Sequence, residues 1–231
     1  MRIEVLTIFP DMFTNFLQES MVGIASEIGA VDVKVTNIRD FATDKHKTTD
    51  DYPYGGGAGM VMMIEPIATC IESLTSERAY DEIIYMSPDG ELLDQKIANQ
   101  ISLKGNVIIL CGHYKGIDER IREHFITKEI SIGNYVLSGG ELAAAVFVDS
   151  IIRLIPGVLG DETSALSDSF QNNMVSPPVY TRPREFRGWE VPKILLSGNE
   201  KLIEEWKYEQ SLKRTVEKKP ELLDDKEEQK Y

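Results

Sequence analysis

A carboxylate and a guanidinium in the middle of the chain have side chains that could take part in catalysis. Arg153 ends an apolar helical stretch, and Asp168 stands in a following segment rich in Asp, Ser and Thr. A carboxylate can accept a proton, and a guanidinium can stabilise developing negative charge. Each residue also has a structural interpretation, because Arg153 could pair with Asp149 one helical turn earlier and Asp168 could cap the next helix. Considered alone, both residues favour the structural interpretation.

Glycine-containing loops follow three short, hydrophobic segments that we predict to be strands. These loops are 87–90 after strand 82–86, 112–116 after strand 106–111, and 133–140 after strand 128–132. In open α/β sheets, ligands bind beyond the carboxyl ends of the strands. The three loops together therefore predict a single binding crevice.

The segment 52–60 is the most unusual stretch, with four glycines among residues 55–59. A flexible turn explains it as well as a binding loop does. It is not a phosphate-binding P-loop, because Gly-Lys-Ser/Thr is missing, and no predicted strand directly precedes it as a dinucleotide fingerprint requires.

The cysteines and histidines do not indicate a metal site or a disulfide framework. Cys70 and Cys111 are far apart and form no Cys-x-x-Cys pair, and His46, His113 and His124 lack metal-ligand spacing. We therefore expect neither structural zinc nor a zinc-dependent mechanism.

The net charge of −13 argues at first against a polyanionic partner. However, residues 182–219 contain ten Lys/Arg and seven Asp/Glu, a balance of +3 that leaves −16 on the rest. This local basicity is compatible with nucleic acid, although on charge alone a helix surface of mixed charge is the favoured explanation. The 42% hydrophobic composition contains no run that could span a bilayer, and the N-terminus does not resemble a secretory signal, so we expect a cytosolic protein with no membrane partner.

Residues 1–160 alternate strand-like and helix-like segments, which predicts an α/β fold with a mostly parallel sheet. We expect Asp11 to cap the first helix. The helix 141–154 is apolar almost all round and must be buried in the domain or against another subunit. An exposed linker should follow at 160–169, and a further helix at 199–219. The other predicted strands are 2–8 and 31–36, and the other predicted helices are 65–78, 91–102 and 118–124.

Five motifs in register resemble those of bacterial tRNA (guanine-N1)-methyltransferases of the SPOUT class. They are YGGG at 54–57, GHYKGIDER at 112–120, SIGNYVLSGGEL at 131–142, YTRP at 180–183 and LLSGN at 195–199. The resemblance implies a knotted α/β domain (1–160) with a deep trefoil knot that holds S-adenosylmethionine, a linker (161–169), a small helical tRNA-binding C-terminal domain (170–231), and a homodimer.

Carried over position by position, the resemblance implies a catalytic base at Asp168 and a guanine-binding cation at Arg153. The activity it implies is methylation of guanosine N1 at tRNA position 37 in the anticodon loop. We expect the active sites to be shared between two chains. The cofactor-binding residues it implies are Pro88, Gly112, Ile132, Gly133, Asn134, Tyr135, Val136, Leu137, Gly139 and Gly140.

The chain departs from the family's usual residues at three positions, with Lys115 in place of an acid, Asn134 in place of Asp, and Val179 in place of His. Fewer carboxylates near the cofactor weaken the case for a bound Mg²⁺, which stays open as a second cofactor, and we assign no metal ligand. Two other classes of protein are alternatives. A non-catalytic RNA-binding protein on the same fold should have lost the base or the glycine loops. An oxidoreductase should have Gly-x-Gly-x-x-Gly after the first strand, where residues 9–13 read FPDMF.

Overall fold

The computed structural model describes residues 1–159 and 168–224. The chain divides into two units, residues 1–160 and 161–231. Within the first unit, the strands are β1 (Arg2–Thr7), β2 (Asp32–Asn37), β3 (Asp50–Asp51), β4 (Val61–Met62), β5 (Glu82–Leu92), β6 (Asn106–Cys111) and β7 (Lys128–Ser131). The α-helices are α1 (Ser20–Glu27), α2 (Ile64–Glu77), α3 (Gln95–Ser102), α4 (Glu119–His124) and α5 (Glu141–Ile152), with short 3₁₀ turns at Pro10–Phe13 and Ile38–Phe41.

Five of these strands form one sheet in the order β2-β1-β6-β5-β7, and every neighbouring pair is parallel. This confirms the predicted α/β class with a mostly parallel sheet. The trefoil knot stays a prediction. Parallel strands need crossover connections, which helices supply, and both faces of such a sheet become buried.

Strand β6 shows how the sequence builds two cores from one strand. Val107, Ile109 and Cys111 pack on one face, and Ile108 and Leu110 pack on the other. This follows from the two-residue period of a strand, which points successive side chains to opposite faces. Helices α1, α3 and α5 cover the first face, while α2 and α4 cover the second. The first unit is therefore a three-layer α/β/α structure.

Both cysteines belong to these cores, one on each face of the sheet. Cys70 and Cys111 are fully buried and unpaired. Burial raises the pKa of the Cys70 thiol to about 12 and also raises that of Cys111, because the charged thiolate is poorly solvated there.

Two of the predicted helix starts are wrong. Asp11 lies inside the 3₁₀ turn and caps no helix, since the first α-helix begins at Ser20 after Glu19. The helix predicted at 91–102 begins only at Gln95, where the Asp94 side chain accepts a hydrogen bond from the Ile97 N–H at 2.7 Å. The preceding residues Glu91 and Leu92 still belong to β5.

The second unit contains a small hairpin and helices. Its elements are β8 (Glu185–Phe186), β9 (Trp189–Glu190), a 3₁₀ turn at Lys193–Leu196, α6 (Glu200–Lys218) and α7 (Glu221–Asp224). As predicted, a helix covers nearly all of 199–219, and the Asn199 side chain caps it by accepting from the Leu202 N–H. The predicted linker falls largely outside the described residues. No helix within 1–159 or 168–224 is both long and apolar enough to cross a membrane.

Candidate functional site

A cavity of about 510 Å³ opens at the loop that interrupts β5 and the loops that follow β6 and β7. Its size lies within the range of small-molecule sites, which is about 300–1,000 Å³. Three loops form most of its wall, as the pattern of glycine loops predicts. The predicted cofactor residues in this wall are Pro88, Gly112, Ile132, Gly133, Tyr135, Val136, Leu137, Gly139 and Gly140. Asn134 is exposed and is not among the residues that line the cavity.

Main-chain contacts fasten the loops after β6 and β7 to each other. The Gly140 N–H donates to the Gly112 carbonyl at 2.8 Å, and Gly139 pairs with His113 in an isolated antiparallel bridge. A Cβ at Gly140 would lie 2.9 Å from the Cys111 Cα, which is too close for the backbones to stay where they are. The absence of a side chain at Gly140 therefore permits the two loops to touch.

The third loop is an excursion within β5. Met86 and Glu91 both lie opposite Ile130 of β7, so the four residues between them leave the ladder. These residues include Pro88, which lines the cavity. The prediction that β5 ends at Met86 is therefore wrong in one respect, because the strand resumes at Glu91 after the loop. Bulges of this kind occur often beside functional sites, where they redirect side chains.

Tyr85 forms the floor beneath Gly112. Its side chain is 5% exposed, and a Cβ on Gly112 would lie 2.7 Å from its hydroxyl oxygen. Burial raises the pKa of Tyr85 to about 12, so the phenol stays neutral near pH 7. The guanidinium of Arg122 lies 5.7 Å from the centre of its ring.

Arg122 organises the charged part of the wall. It donates hydrogen bonds to Glu129 and, at 2.9 Å, to Asp89. The Ser87 hydroxyl also donates to Asp89, and these two contacts lower the Asp89 pKa to about 2. Tyr85, Asp89 and Arg122 are not among the site residues predicted from the sequence. Of these, only Asp89 could have been suggested by its position next to Pro88, because Asp89 and Glu129 reach Arg122 from other elements.

A buried carboxylate connects three segments beside the cavity. Glu141, 2% exposed at the start of α5, accepts a hydrogen bond from the Thr7 hydroxyl at 2.6 Å and lies 3.2 Å from His113 Nε2. Thr7 ends β1, while His113 belongs to the loop after β6. Glu141 therefore joins the end of β1, α5 and one cavity loop, and the hydrogen bond from Thr7 offsets part of the cost of burying its polar side chain.

The four-glycine segment forms the loop between β3 and β4, which pair antiparallel. Gly59 has a φ of +94°, and a Cβ there would lie 3.0 Å from Lys115 Cε. The Lys115 N–H donates to the Met60 carbonyl at 3.1 Å. The segment thus supports the loop that carries Lys115, which lines the cavity.

The two predicted catalytic residues lie in different units. Arg153 caps the C-terminal end of α5 and is half-buried, and its N–H donates to the Asp149 carbonyl. Asp168 is the first residue of the second described stretch and is also half-buried. Their catalytic roles stay predictions. No group of three or more His, Cys, Asp or Glu side chains within the described stretches is arranged to hold a metal ion.

The fold and the cavity define an α/β protein with a small-molecule site at the carboxyl ends of its parallel strands. Residues 1–225 match the model of the family described as tRNA (Guanine-1)-methyltransferase TrmD. The chain belongs to this family, which confirms the resemblance predicted from the five motifs.

Similar proteins share this match over their full length. The chain is 62% identical to a tRNA (guanine-N(1)-)-methyltransferase of Christiangramia forsetii, 59% to one of Bacteroides fragilis and 57% to one of Flavobacterium johnsoniae. In each comparison the match covers 97% of this chain and 100% of the relative.

Proposed function

We propose that this chain transfers the methyl group of S-adenosylmethionine to N1 of a guanosine in tRNA, at position 37 beside the anticodon. The observation that carries the proposal is the cavity formed by the loop within β5 and the loops after β6 and β7. Nine residues assigned to the cofactor from the family resemblance lie in its wall. Family membership over residues 1–225 supports the same reaction.

The cavity suits S-adenosylmethionine in size and in lining. Gly112, Gly133 and Gly139 bring main-chain polar groups to its surface, while Ile132 and Leu137 supply apolar contacts for a flat ring. When bound, the cofactor supplies a methyl group on a sulfonium, which is a good leaving group and needs no metal to activate it. We therefore assign Mg²⁺ no role in the proposed reaction.

Guanine N1 is a poor nucleophile while it carries its proton. We assign Asp168 as the base that accepts this proton as the bond from N1 to the methyl carbon forms and the carbon–sulfur bond breaks. The electron pair of the broken bond goes to sulfur. Negative charge that spreads to guanine O6 would be stabilised by a hydrogen bond from Arg153.

The target base must be unpaired or flipped out, because N1 faces the partner base in a pair. A tRNA anticodon loop meets this requirement, and the basic segment 182–219 suits its phosphates.

We also infer a homodimer in which Asp168 of one chain serves the cofactor site of its partner. We infer a cytosolic location as well, because tRNA is found there. Exposed apolar side chains on α5 support the dimer, since Leu142 is 58% and Val146 is 50% exposed.

A methylation assay tests the proposal. Purified protein is incubated with labelled S-adenosylmethionine and an unmodified tRNA transcript, then with a transcript carrying adenosine at position 37. We expect label only in the first transcript. Equal label in both would refute the proposed target.

Asp168→Ala tests the role of the base. We expect turnover to be abolished while cofactor affinity, measured by calorimetry, stays nearly unchanged, because the residue acts on the nucleophile and not on the cofactor. Loss of affinity together with rate would show that Asp168 has a structural role instead.

A further inference from the structure

The hairpin of the second unit is exposed throughout. Residues 179–190 are all exposed, and β8 and β9 contribute only two residues each. Arg187 and Gly188 form the turn with φ values of +54° and +83°. Two consecutive residues with positive φ are typical of a tight hairpin turn. The hairpin therefore presents its side chains to the surroundings on a short, well-defined backbone.

The pairing of the two strands separates its acidic residues from its aromatic ones. Glu185 pairs with Glu190, and Phe186 pairs with Trp189. Because successive side chains point to opposite faces, the two glutamates share one face and the two rings share the other. The Val191 N–H donates to the Arg184 carbonyl at 2.9 Å, which extends the ladder by one pair. Arg184 therefore belongs to the same face as Phe186 and Trp189.

The rings on this face are large, exposed and close to a cation. Trp189 is 70% exposed and Phe186 is 52% exposed, and their ring centres lie 6.0 Å apart. The guanidinium of Arg187 lies 5.0 Å from the centre of the Phe186 ring. A hairpin of this size cannot bury such rings in a core of its own, and exposed aromatic side chains beside arginines are typical of surfaces that bind unpaired nucleotides.

We propose that the aromatic face, formed by Arg184, Phe186, Arg187 and Trp189, binds an unpaired nucleotide of the substrate tRNA. A base stacks on the Trp189 ring, and the guanidinium groups of Arg184 and Arg187 bind adjacent phosphates. One ligand supplies both the flat faces and the negative charge that this surface needs. The inference rests on the proposed function only in taking tRNA as the substrate.

Tryptophan fluorescence offers a direct test, because the chain contains only Trp189 and Trp206. Trp206 lies half-buried in α6, with its ring 6.5 Å from that of Tyr180. In the Trp206→Phe variant, all tryptophan emission comes from Trp189, and we expect saturable quenching on titration with an unmodified tRNA transcript. The matched Trp189→Phe variant should show much weaker quenching. Emission from Trp189 that does not respond to a tRNA that the protein methylates would overturn the proposal.

Kinetics provide a second test that does not depend on fluorescence. We expect Trp189→Ala to raise the KM for tRNA roughly tenfold, as loss of one stacked base predicts, with kcat and cofactor affinity unchanged. Arg187→Ala should raise the same KM and weaken its dependence on salt, because one phosphate contact is lost. Circular dichroism verifies that each variant is folded.

The outcomes separate the two proposals. If the native protein methylates no tRNA, the proposed function fails. If it methylates tRNA and Trp189→Ala leaves the KM unchanged, only the aromatic face is refuted. If Trp189→Ala instead dissociates an oligomer, as measured by sedimentation, while tRNA affinity is kept, then the face binds a second copy of the chain and the proposal is wrong.

Discussion

Among single residues, Asp89 shows how its neighbours set the charge state of the cavity wall. Hydrogen bonds from Ser87 and Arg122 lower its pKa to about 2, below the ordinary value of about 3.9. Because this pKa is lower in the folded than in the unfolded chain, ionised Asp89 stabilises the fold above the ordinary pKa. This contribution is lost as the pH falls towards 2. It stays below about 1 kcal/mol, since the side chain is 63% exposed.

Replacing Arg122 should change the pH at which the Asp89 carboxyl group titrates. We expect Arg122→Gln to raise the pKa of Asp89 from about 2 towards about 3.9, because a charged donor is lost. The titration can be followed by NMR at the Asp89 carboxyl carbon. Lys128→Gln is the matched control, since Lys128 pairs with Glu91 and should leave Asp89 unchanged. An unaltered midpoint in Arg122→Gln would show that Ser87 alone sets the pKa.

At the scale of elements, the sequence predicted regular structure better than the connections. Strand β6 was predicted residue for residue, because its apolar run is buried on both faces. The start of α3 was placed too early at residue 91, since the return of β5 after its excursion depends on pairing with β7. Nine of the ten cofactor residues that the family resemblance implies lie in the cavity wall, whereas the contacts of Arg122 and Glu141 depend on partners brought together by the fold.

The junction of the two cavity loops leads to a prediction for Gly140. We expect Gly140→Ala to weaken cofactor binding strongly and to lower stability, because the new Cβ would meet the Cys111 backbone at 2.9 Å. Calorimetry with S-adenosylmethionine and thermal unfolding measure the two effects. Gly140 has a φ of −80°, so backbone strain plays no part in the expected loss.

Gly29→Ala is the matched control, with the opposite combination of features. Gly29 has a φ of +71° and open space around its Cβ position. The Gly29→Ala variant should lose about 1–2 kcal/mol of stability, because alanine is strained in the left-handed backbone conformation. It should keep its affinity for S-adenosylmethionine. Equal cofactor affinity in both glycine variants would contradict the steric argument for Gly140.

At the scale of the whole molecule, the proposed sharing of active sites leads to a complementation experiment. The Asp168→Ala and Gly140→Ala chains are co-expressed with different tags, and the mixed dimer is purified. If each site combines the cavity of one chain with Asp168 of the other, the mixed dimer has one intact site and should methylate tRNA. Neither variant dimer alone should do so. An inactive mixed dimer would indicate that each chain builds its own site.

The burial of both thiols in the first unit has a practical consequence for measuring its opening. Alkylating reagents attack the thiolate, and the raised pKa values of Cys70 and Cys111 keep both groups protonated as well as shielded. Modification should therefore require an opening of the α/β unit. The second unit contains no cysteine, so its opening produces no alkylation. A comparison of alkylation rates with and without S-adenosylmethionine would therefore measure how much the cofactor stabilises the first unit against opening.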